Sequence, residues 1–455
     1  MSAPLIPANL VVAARHLLPK RLVLSAIRFF PAILIASAIH PARALTLEEA
    51  IARAVTSNER GRAAGESARA AEARVSRARS VLLPDLTFTG DYTRRSHETT
   101  RTVDGETSVL STRDGLEGRL TLNQTIFDAR AFPLLRQAGS LRDAARLDAT
   151  EINRRLAFET ATVFLAVLGG EQVVGAAAER LDLARQNERE VRVRFESQLI
   201  GSNDVSRAEL ESAVAERELV EARGFVRTAR LSLGYLLDQP ITDSLQVPQE
   251  LLRQSEEPTH PGEPLEVVAV ERRPDLGAER ARQAALEALA DEPRARYIPQ
   301  LSANATAWRT NESGFSGRDE DWTLGLGLNW SLFDGGDREA TGSERAAQVR
   351  AGALELQYLE RGVGIEIASA QVALESRQAS LAQSEVAVRA ARRNAVESSE
   401  LYRRGLIRAL EAVDANVQLF EAEVERARTR LALALAWLQL RSALGLYPLT
   451  EMGTP

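Results

Sequence analysis

The segment Trp322–Asp334, which reads WTLGLGLNWSLFD, decides the fold. Large apolar residues alternate with small or polar ones, which is the pattern of a β-strand with two different faces. The apolar face carries Trp322, Leu324, Leu326, Leu328, Trp330 and Leu332. The alternation spans the roughly 9–11 residues of a tilted strand that crosses a bilayer, and tryptophan near both ends suits the interfacial aromatic girdles. We predict a membrane strand near 322–332 with this face towards lipid, paired with a strand near 301–309.

Parts of this segment and its surroundings also occur earlier in the chain. Three pairs match in the same order: LNWSLFD at 328–334 with LNQTIFD at 122–128, IPQL at 298–301 with LPDL at 83–86, and YRRGLI at 402–407 with FESQLI at 195–200. Their offsets are nearly equal and too long for a small solenoid repeat. We interpret the chain as two tandem copies, 45–239 and 265–447, with a C-terminal tail at 448–455. The proline-rich segment 240–264 between them predicts a linker without helix or sheet.

The first copy predicts two further strands, near 85–94 and 115–126, and the polar segment Arg95–Arg113 between them predicts an extracellular loop. Four strands cannot close a membrane barrel, because about eight are needed, and open edges in lipid would leave backbone groups unpaired. The pattern therefore requires oligomerisation or the absence of a membrane. Three chains would supply twelve strands, although the residues alone do not select three over two or four. Taken singly, each strand also fits a half-buried sheet of a soluble protein.

The remaining sequence predicts very long helices. Heptad-spaced residues recur at Leu156, Val163, Gly170, Ala177, Ala184 and Val191, and again at Ile367, Leu374, Leu381, Val388, Ala395 and Tyr402. Sustained heptads are typical of helices that pack side by side as in coiled coils. Uninterrupted helices are predicted over 134–198 and 337–404, each about 100 Å long at about 1.5 Å per residue. Asp128 and Asp334 are predicted to cap their N-termini. No stretch approaches the length of a membrane helix.

Residues 1–44 resemble a secretory signal peptide. They carry five Arg or Lys residues and no acid, then an apolar run, then Ala42-Arg43-Ala44, which fits a cleavage site. A disordered N-terminal extension is the alternative. Removing this segment would make the net charge of −6 still more negative, which argues against a nucleic-acid partner.

The composition also argues against catalysis. The chain has no cysteine, and its four histidines are His16, His40, His97 and His260. A thiolate metal site, a cysteine nucleophile and a multi-histidine site are therefore excluded, and no phosphate-binding glycine loop is present. We predict that the protein is not an enzyme and uses no metal or other cofactor.

The chain resembles the outer-membrane efflux protein family, typified by TolC, from about Leu45 to Leu446. The motifs that carry the resemblance are RPDL at 273–276, YIPQL at 297–301, LNWSLFDGG at 328–336, YRRGL at 402–406 and SALG at 442–445. Each motif is weak alone, but their order and spacing are specific. The first copy is more degenerate, with Thr56–Glu59 where the family tends to show an Asn-Pro or Arg-Pro pair.

The resemblance implies a mainly helical homotrimer in the Gram-negative outer membrane. One twelve-stranded barrel would continue into a twelve-helix periplasmic tunnel that docks on a periplasmic adaptor and an inner-membrane transporter. The protein would be a passive exit duct of a tripartite efflux or type I secretion system, and multidrug export is slightly favoured as the substrate class. The alternative is a soluble periplasmic coiled-coil scaffold or adaptor, which would leave the tryptophan-ended strand unexplained.

The resemblance also assigns two sets of residues. Matched by position, the constriction at the periplasmic end of the tunnel would be formed by Asp204, Tyr402, Glu411 and Asp414. A basic residue of the family's constriction falls on Ile407, with Arg408 one position away. The helical turns near 199–203 and 405–408 would contact the adaptor through Leu199, Ile200, Gly201, Gly405, Leu406 and Ile407.

Overall fold

The computed structural model describes residues 44–103, 106–257, 265–312, 314 and 316–449. The predicted signal peptide, apart from Ala44, lies outside the described residues, as do part of the predicted linker and most of the predicted tail.

Helices and strands alternate in the same plan in both halves of the chain. The helices are Leu47–Ser57 (α1), Glu59–Ser80 (α2), Ala131–Glu196 (α3), Ser202–Leu237 (α4), Gln249–Glu256 (α5), Leu265–Arg272 (α6), Pro274–Ala290 (α7), Glu292–Ala295 (α8), Asp337–Arg403 (α9) and Ala409–Ala443 (α10). The strands are Asp85–Arg94 (β1), Thr99–Val103 (β2), Glu106–Ser111 (β3), Asp114–Phe127 (β4), Gln300–Thr310 (β5) and Glu320–Asn329 (β6).

The two halves meet in one antiparallel sheet, whose strand order is β1-β4-β5-β6. β4 from the first half pairs with β5 from the second, for example Leu122 with Ala305 and Leu120 with Ala307. Each of the four strands is continuous in the chain with a helix or helical turn: α2 precedes β1, β4 leads into α3, α8 precedes β5 after α7, and β6 leads into α9. Below the sheet, α2 packs on α3, α3 on α7, and α7 on α9. The helical layer therefore repeats the order of the strands.

Shorter helices are stacked end to end inside this layer. Asn58, the N-cap of α2, donates a side-chain hydrogen bond to the carbonyl of Leu236 in the last turn of α4, at 3.1 Å. Arg273, the N-cap of α7, donates to the carbonyl of Ala443 at the end of α10, at 3.2 Å. Carbonyls at a helix C-terminus have no partner inside their helix, so these donors satisfy them. Two stacked columns, α4–α2 and α10–α7, thus stand beside the continuous helices α3 and α9.

The main core lies at the level of these stacking points. It combines α1, the middle of α3, and the ends of α4 and α10, with Ile51, Leu156, Phe164, Leu233 and Leu433 fully buried. α1 starts with a capping box in which Thr46 and Glu49 satisfy each other's backbone donors. α3 contains an 18-residue stretch apolar enough, by length and composition, to cross a membrane. The prediction that no stretch approaches that length was therefore wrong, and the apolar residues of α3 contribute to this core.

Two further predictions are also wrong. β6 ends at Asn329, because its last partner is Gln300 and β5 begins there, so Trp330 and Leu332 lie beyond the strand predicted at 322–332. The segment 240–264 contains α5, because the residues after Pro248 are free of proline for two helical turns. The predicted loop Arg95–Arg113 contains the β2–β3 hairpin, in keeping with its threonine-rich, strand-favouring sequence.

Asp128 and Asp334, the predicted N-caps, each lie two residues before the residue that caps the helix. Arg130 is the N-cap of α3 and Gly336 that of α9. Asp128 accepts from the backbone N–H of Arg130 at 2.9 Å, and Asp334 accepts from that of Gly336 at 3.3 Å. These carboxylates therefore hold the strand-to-helix turns instead of capping the helices. A hydrogen bond from a backbone N–H to the side chain two residues earlier is a local motif that Asp favours.

Candidate functional site: the membrane face, the assembly faces and the tip

One face of the sheet is apolar across all four strands. The register aligns two rows of side chains on this face: Leu86, Leu122, Ala305 and Leu324 form one, and Phe88, Leu120, Ala307 and Trp322 form the other. Their large members are exposed, with Leu324 at 73% and Phe88 at 71% of the maximal exposed area. An exposed apolar surface of this extent marks a contact with lipid or with another protein.

The opposite face of the same sheet is polar. Thr87, Thr121, Thr306 and Thr323 form a complete cross-strand row there, and Asp85, Asn123 and Asn304 form the start of the next row. A sheet with one apolar and one polar face, both exposed, is the pattern of a barrel wall with lipid outside and water inside.

The sheet has two free edges. Among the described strands, β1 pairs only with β4 and β6 pairs only with β5, so each leaves a row of backbone groups unpaired. In lipid such groups cost several kcal/mol each. In lipid the sheet would therefore need partners along both edges. Because the two edges differ, each could pair with the other edge of a second copy.

The outermost long helix carries a second apolar stripe. The heptad residues of α9 named above are buried inside the protomer, Tyr402 among them. About 180° round the helix, at roughly 100° per residue, exposed apolar residues recur with heptad spacing. This α9 stripe consists of Leu354, Tyr358, Ile365, Val372, Ala379 and Val386. Ile365 is 71% exposed and Val372 is 67% exposed.

The helix at the other end of the layer has a matching stripe. On α4, Ala208, Ala215, Leu219 and Leu233 are buried. The opposite side exposes Leu210, Val220, Leu231 and Tyr235, which we call the α4 stripe. α4 and α9 lie at opposite ends of the helical layer, as β1 and β6 lie at opposite edges of the sheet. Among the described residues, the layer therefore has one exposed apolar stripe at each end. Copies that associate head to tail through two different surfaces form either a closed ring or an open fibre.

The RPDL motif serves the stacking of α7 on α10. Arg273 is buried and donates to Asp275 at 2.7 Å and to Glu366 on α9 at 2.6 Å, besides the carbonyl of Ala443. Burial alone lowers the pKa of Arg273, but the hydrogen bonds to Asp275 and Glu366 outweigh it and raise the pKa above its ordinary value. Burial raises the pKa of Asp275, whereas Arg273 lowers it by more, so this carboxylate stays ionised. The motif is therefore a structural cross-link.

Replacing Arg273 with alanine should destabilise the protein by about 2 kcal/mol, because buried charge-assisted hydrogen bonds and a helix-end carbonyl lose their donor. Thermal unfolding followed by helical circular dichroism measures the effect. Arg282→Ala is the matched control, since its ion pairs with Asp148 and Glu279 are partly exposed and worth less than about 1 kcal/mol. Equal losses for the two variants would contradict the role assigned to the motif.

The tip turns of the two halves have equivalent geometry. Gln198 and Gly405 both adopt positive φ, at 60° and 73°. The N–H groups of Leu199 and Leu406 donate to the carbonyls of Arg194 and Leu401, each at 2.9 Å. Glycine takes this conformation without strain and glutamine does not. Leu199 and Leu406 are exposed, as are Gly201 and Gly405, while Ile200 and Ile407 are half-buried.

The four residues assigned to the constriction fall into two groups. Tyr402 is 9% exposed and its ring lies against the guanidinium of Arg194 on α3, 4.5 Å from the ring centroid. Burial raises the pKa of Tyr402, Arg194 lowers it, and the carboxylates of Glu190 and Asp204 raise it further, so the hydroxyl is neutral. Tyr402 and Asp204 are therefore brought close together within one protomer.

Glu411 and Asp414 lie apart from that cluster, exposed in the first turns of α10, and neither has an ion-pair partner among the residues that the structure describes. The described part of the chain has no group of three or more His, Cys, Asp or Glu residues that could hold a metal ion.

Arg180 was not predicted from the sequence. Its guanidinium is buried and pairs with Glu211 on α4 at 2.8 Å and with Glu218. It also lies 4.8 Å from the centroid of the Phe420 ring on α10. Arg180 therefore joins the α3–α4 pair to α10, as Arg194 joins α3 to α9. A charged residue at an inward position of the heptad pattern was the available signal.

A sheet with one apolar and one polar face, continued strand by strand into a layer of long helices, is the pattern expected of a membrane channel wall. Residues 267–446 match the family described as "Outer membrane efflux protein". The resemblance derived from the sequence is therefore confirmed, and the family match lies in the second half of the chain.

Solved structures share the whole fold. The outer membrane protein VceC from Vibrio cholerae has 16% sequence identity and a TM-score of 0.72, with 88% of this chain and 96% of that chain covered. The CmeC outer membrane channel of Campylobacter jejuni has 16% identity and a TM-score of 0.73, with 88% and 85% covered. The open state of the Neisseria gonorrhoeae MtrE outer membrane channel has 18% identity and a TM-score of 0.72, with 88% and 89% covered. No curated protein matches the sequence.

Proposed function

We propose that three copies of this chain form a closed outer-membrane channel continued by a periplasmic helical tunnel. One observation carries the proposal: strands and helices follow the same order across the described protomer. The free edges of the sheet and the exposed stripes of α9 and α4 therefore lie at the same two ends of that order. Pairing β6 of one copy with β1 of the next would place the α9 stripe beside the α4–α2 column of the next copy. Three copies give twelve strands, an even number above the minimum for a barrel.

The two faces of the sheet set the orientation of this barrel. The rows containing Leu324 and Trp322 would face lipid, and the threonine row would face water inside. Below it, α2, α3, α7 and α9 all contribute to one concave surface, which combines charged residues such as Asp148 and Arg282 with apolar ones, Tyr358 of the α9 stripe among them. We assign this surface to the wall of the tunnel. A soluble scaffold, the alternative class, would leave the apolar face of the sheet in water.

The channel would serve as the passive exit duct of a tripartite efflux or type I secretion system in a Gram-negative outer membrane. An inner-membrane transporter would supply the energy, and a periplasmic adaptor would dock at the tip turns. The exposed Leu199 and Leu406, at equivalent places in the two halves, support that docking surface, which also includes Ile200, Gly201, Gly405 and Ile407.

The periplasmic end of the tunnel would be held narrow by the contact between Tyr402 and Arg194. This contact joins the last turns of α9 and α3, so it restrains the two long helices relative to each other. Asp204 lies close to Tyr402, and the unpaired carboxylates of Glu411 and Asp414 would add negative charge at the constriction. Three copies of Asp414 in a ring would attract cations.

Replacing Tyr402 with alanine should raise the single-channel conductance several-fold, because the ring that restrains α9 against α3 is lost. The measurement uses purified protein in planar lipid bilayers. Glu397→Gln, an exposed change on α9, should leave the conductance within about a factor of two. An unchanged conductance of the Tyr402 variant would refute the constriction, and the absence of any channel from the unaltered protein would refute the proposed function.

A further inference from the structure

The junction between sheet and helices exposes a belt of apolar and aromatic residues. We call it the junction collar: Val81, Leu83, Phe132, Tyr297, Ile298, Trp330, Leu332 and Phe333. Members stand at the base of every strand of the sheet, before β1 and β5 and after β4 and β6. Phe333 is 85% exposed and Leu332 is 75% exposed. Tyrosine and tryptophan at one level below an apolar barrel face are typical of a membrane–water interface.

Buried Arg338 holds part of the collar in place. Its guanidinium donates to the carbonyl of Ser331 at 3.1 Å and to that of Leu332 at 3.3 Å, and it pairs with Asp334 at 2.7 Å. It also lies 4.2 Å from the centroid of the Tyr297 ring. Trp330 donates its indole N–H to the carbonyl of Tyr297 at 3.1 Å. The hydrogen bonds from Arg338 to the backbone carbonyls of Ser331 and Leu332 therefore hold this segment with Leu332 and Phe333 exposed.

Arginines at the collar divide into paired and unpaired ones. Arg130 pairs with Asp128, and Arg296 pairs with Glu292 and Asp337. By contrast, Arg79 in the last turn of α2 and Arg294 in α8 are exposed and have no ion-pair partner within the described ranges. A flexible arginine beside an apolar surface can lay its methylenes on that surface and extend its guanidinium to a phosphate.

The direction of Arg79 distinguishes it from its neighbour Arg77. Ser67 lines the concave surface assigned to the tunnel wall. At about 100° per residue, Arg77 lies within about 80° of Ser67, while Arg79 is turned about 120° away from Ser67 on the other side of the helix. Arg294 lies in α8, three residues after Asp291, which with Glu287 lines a groove between α3 and α7. That groove is separate from the concave surface, so neither Arg79 nor Arg294 belongs to the tunnel wall.

We infer that the junction collar binds anionic phospholipids of the inner leaflet, with Arg79 and Arg294 holding the phosphates and the collar residues holding the acyl chains and glycerol region. The inference rests on the proposed membrane barrel. Charge complementarity supports it, since these arginines lie at the level of the collar and have no ion-pair partner among the described residues. Each site would take one phosphate group, with the collar setting its depth.

The test is lipid retention by the intact channel. Purified oligomer in a mixture of phosphatidylglycerol and phosphatidylcholine is delipidated and analysed by native mass spectrometry. Phosphatidylglycerol should be retained preferentially, and the double variant Arg79→Gln/Arg294→Gln should reduce this preference at least five-fold, which corresponds to about 1 kcal/mol. Arg77→Gln is the matched control and should retain it.

Equal retention of the two lipids by the unaltered oligomer would overturn the inference, and so would an equal loss in the Arg77 control. A double variant that no longer forms oligomers while its folded protomer persists would instead identify the collar as a contact between copies, which also overturns lipid binding. Failure of the proposed function is distinguishable, because the unaltered protein would then yield no membrane oligomer to analyse.

Discussion

Replacing Leu326 with arginine should prevent recovery of the protein from the outer membrane. Leu326 lies in the middle of β6 on the apolar face, opposite Ala303, and is exposed. An arginine on the lipid face at the midplane costs about 2–4 kcal/mol, and a trimer would carry three of them. The fraction of protein in heat-sensitive outer-membrane oligomers measures the effect.

Thr323→Arg is the matched control for that prediction. Thr323 is three residues away in the same strand but belongs to the threonine row of the polar face, opposite Thr306. Charged residues are tolerated inside a water-filled barrel, so this variant should reach the membrane. Equal behaviour of the two variants would show that the faces of the sheet have been assigned wrongly.

Replacing Val372 with glutamate should abolish the oligomer while leaving the protomer helical. Val372 lies in the α9 stripe, 67% exposed and turned away from the buried residues of the same helix. An exposed carboxylate costs the protomer little, but it would be buried without a partner at a seam between copies, which costs several kcal/mol per contact. Cross-linking or gel analysis without heating gives the oligomeric state, and circular dichroism gives the helix content.

Ser380→Glu provides the comparison for the seam. Ser380 is also exposed on α9, but it lies about 80° round the helix from Val372 and about 100° from Ala379, outside the stripe. It should assemble normally. If the Val372 variant also assembles, the α9 stripe is not an interface, and only the sheet edges would still support the cyclic assembly.

The long-range plan of the protomer was predictable because it depends on simple periodicities. Alternation defines a strand such as β1, and uninterrupted heptads define α3 and α9. The end of β6 was not predictable, because Trp330 continues the alternation and only the start of β5 at Gln300 limits the pairing. The alternation in the sequence therefore predicts that a strand forms, whereas the length of the partner strand determines where it ends.

The equivalence of the two halves was only partly visible in the sequence. Asn58 and Arg273 occupy the same stacking position, and Gln198 and Gly405 the same left-handed turn, although the residue types differ. Either donor satisfies a helix-end carbonyl, so the structure tolerates the exchange. The heptad pattern marks Arg180 as a charged residue at an inward position. Its partners Glu211 and Phe420 were not predictable, because they come from helices whose facing sides are set only by packing.

The constriction is the part of the site that sequence reasoning defined least. The heptad pattern placed Tyr402 on a buried seam, and the resemblance placed it in a constriction; its contact with Arg194 reconciles the two within one protomer. The surroundings of Asp414 depend on the other copies of the chain, so neither the sequence nor a single protomer defines them.

Fractionation of a Gram-negative host that expresses the full-length chain tests the central claim most directly. Outer membranes are extracted with detergent and run on gels with and without heating. The account predicts a species near three times the protomer mass that collapses to the protomer on heating. A monomer recovered from the soluble periplasmic fraction would contradict it.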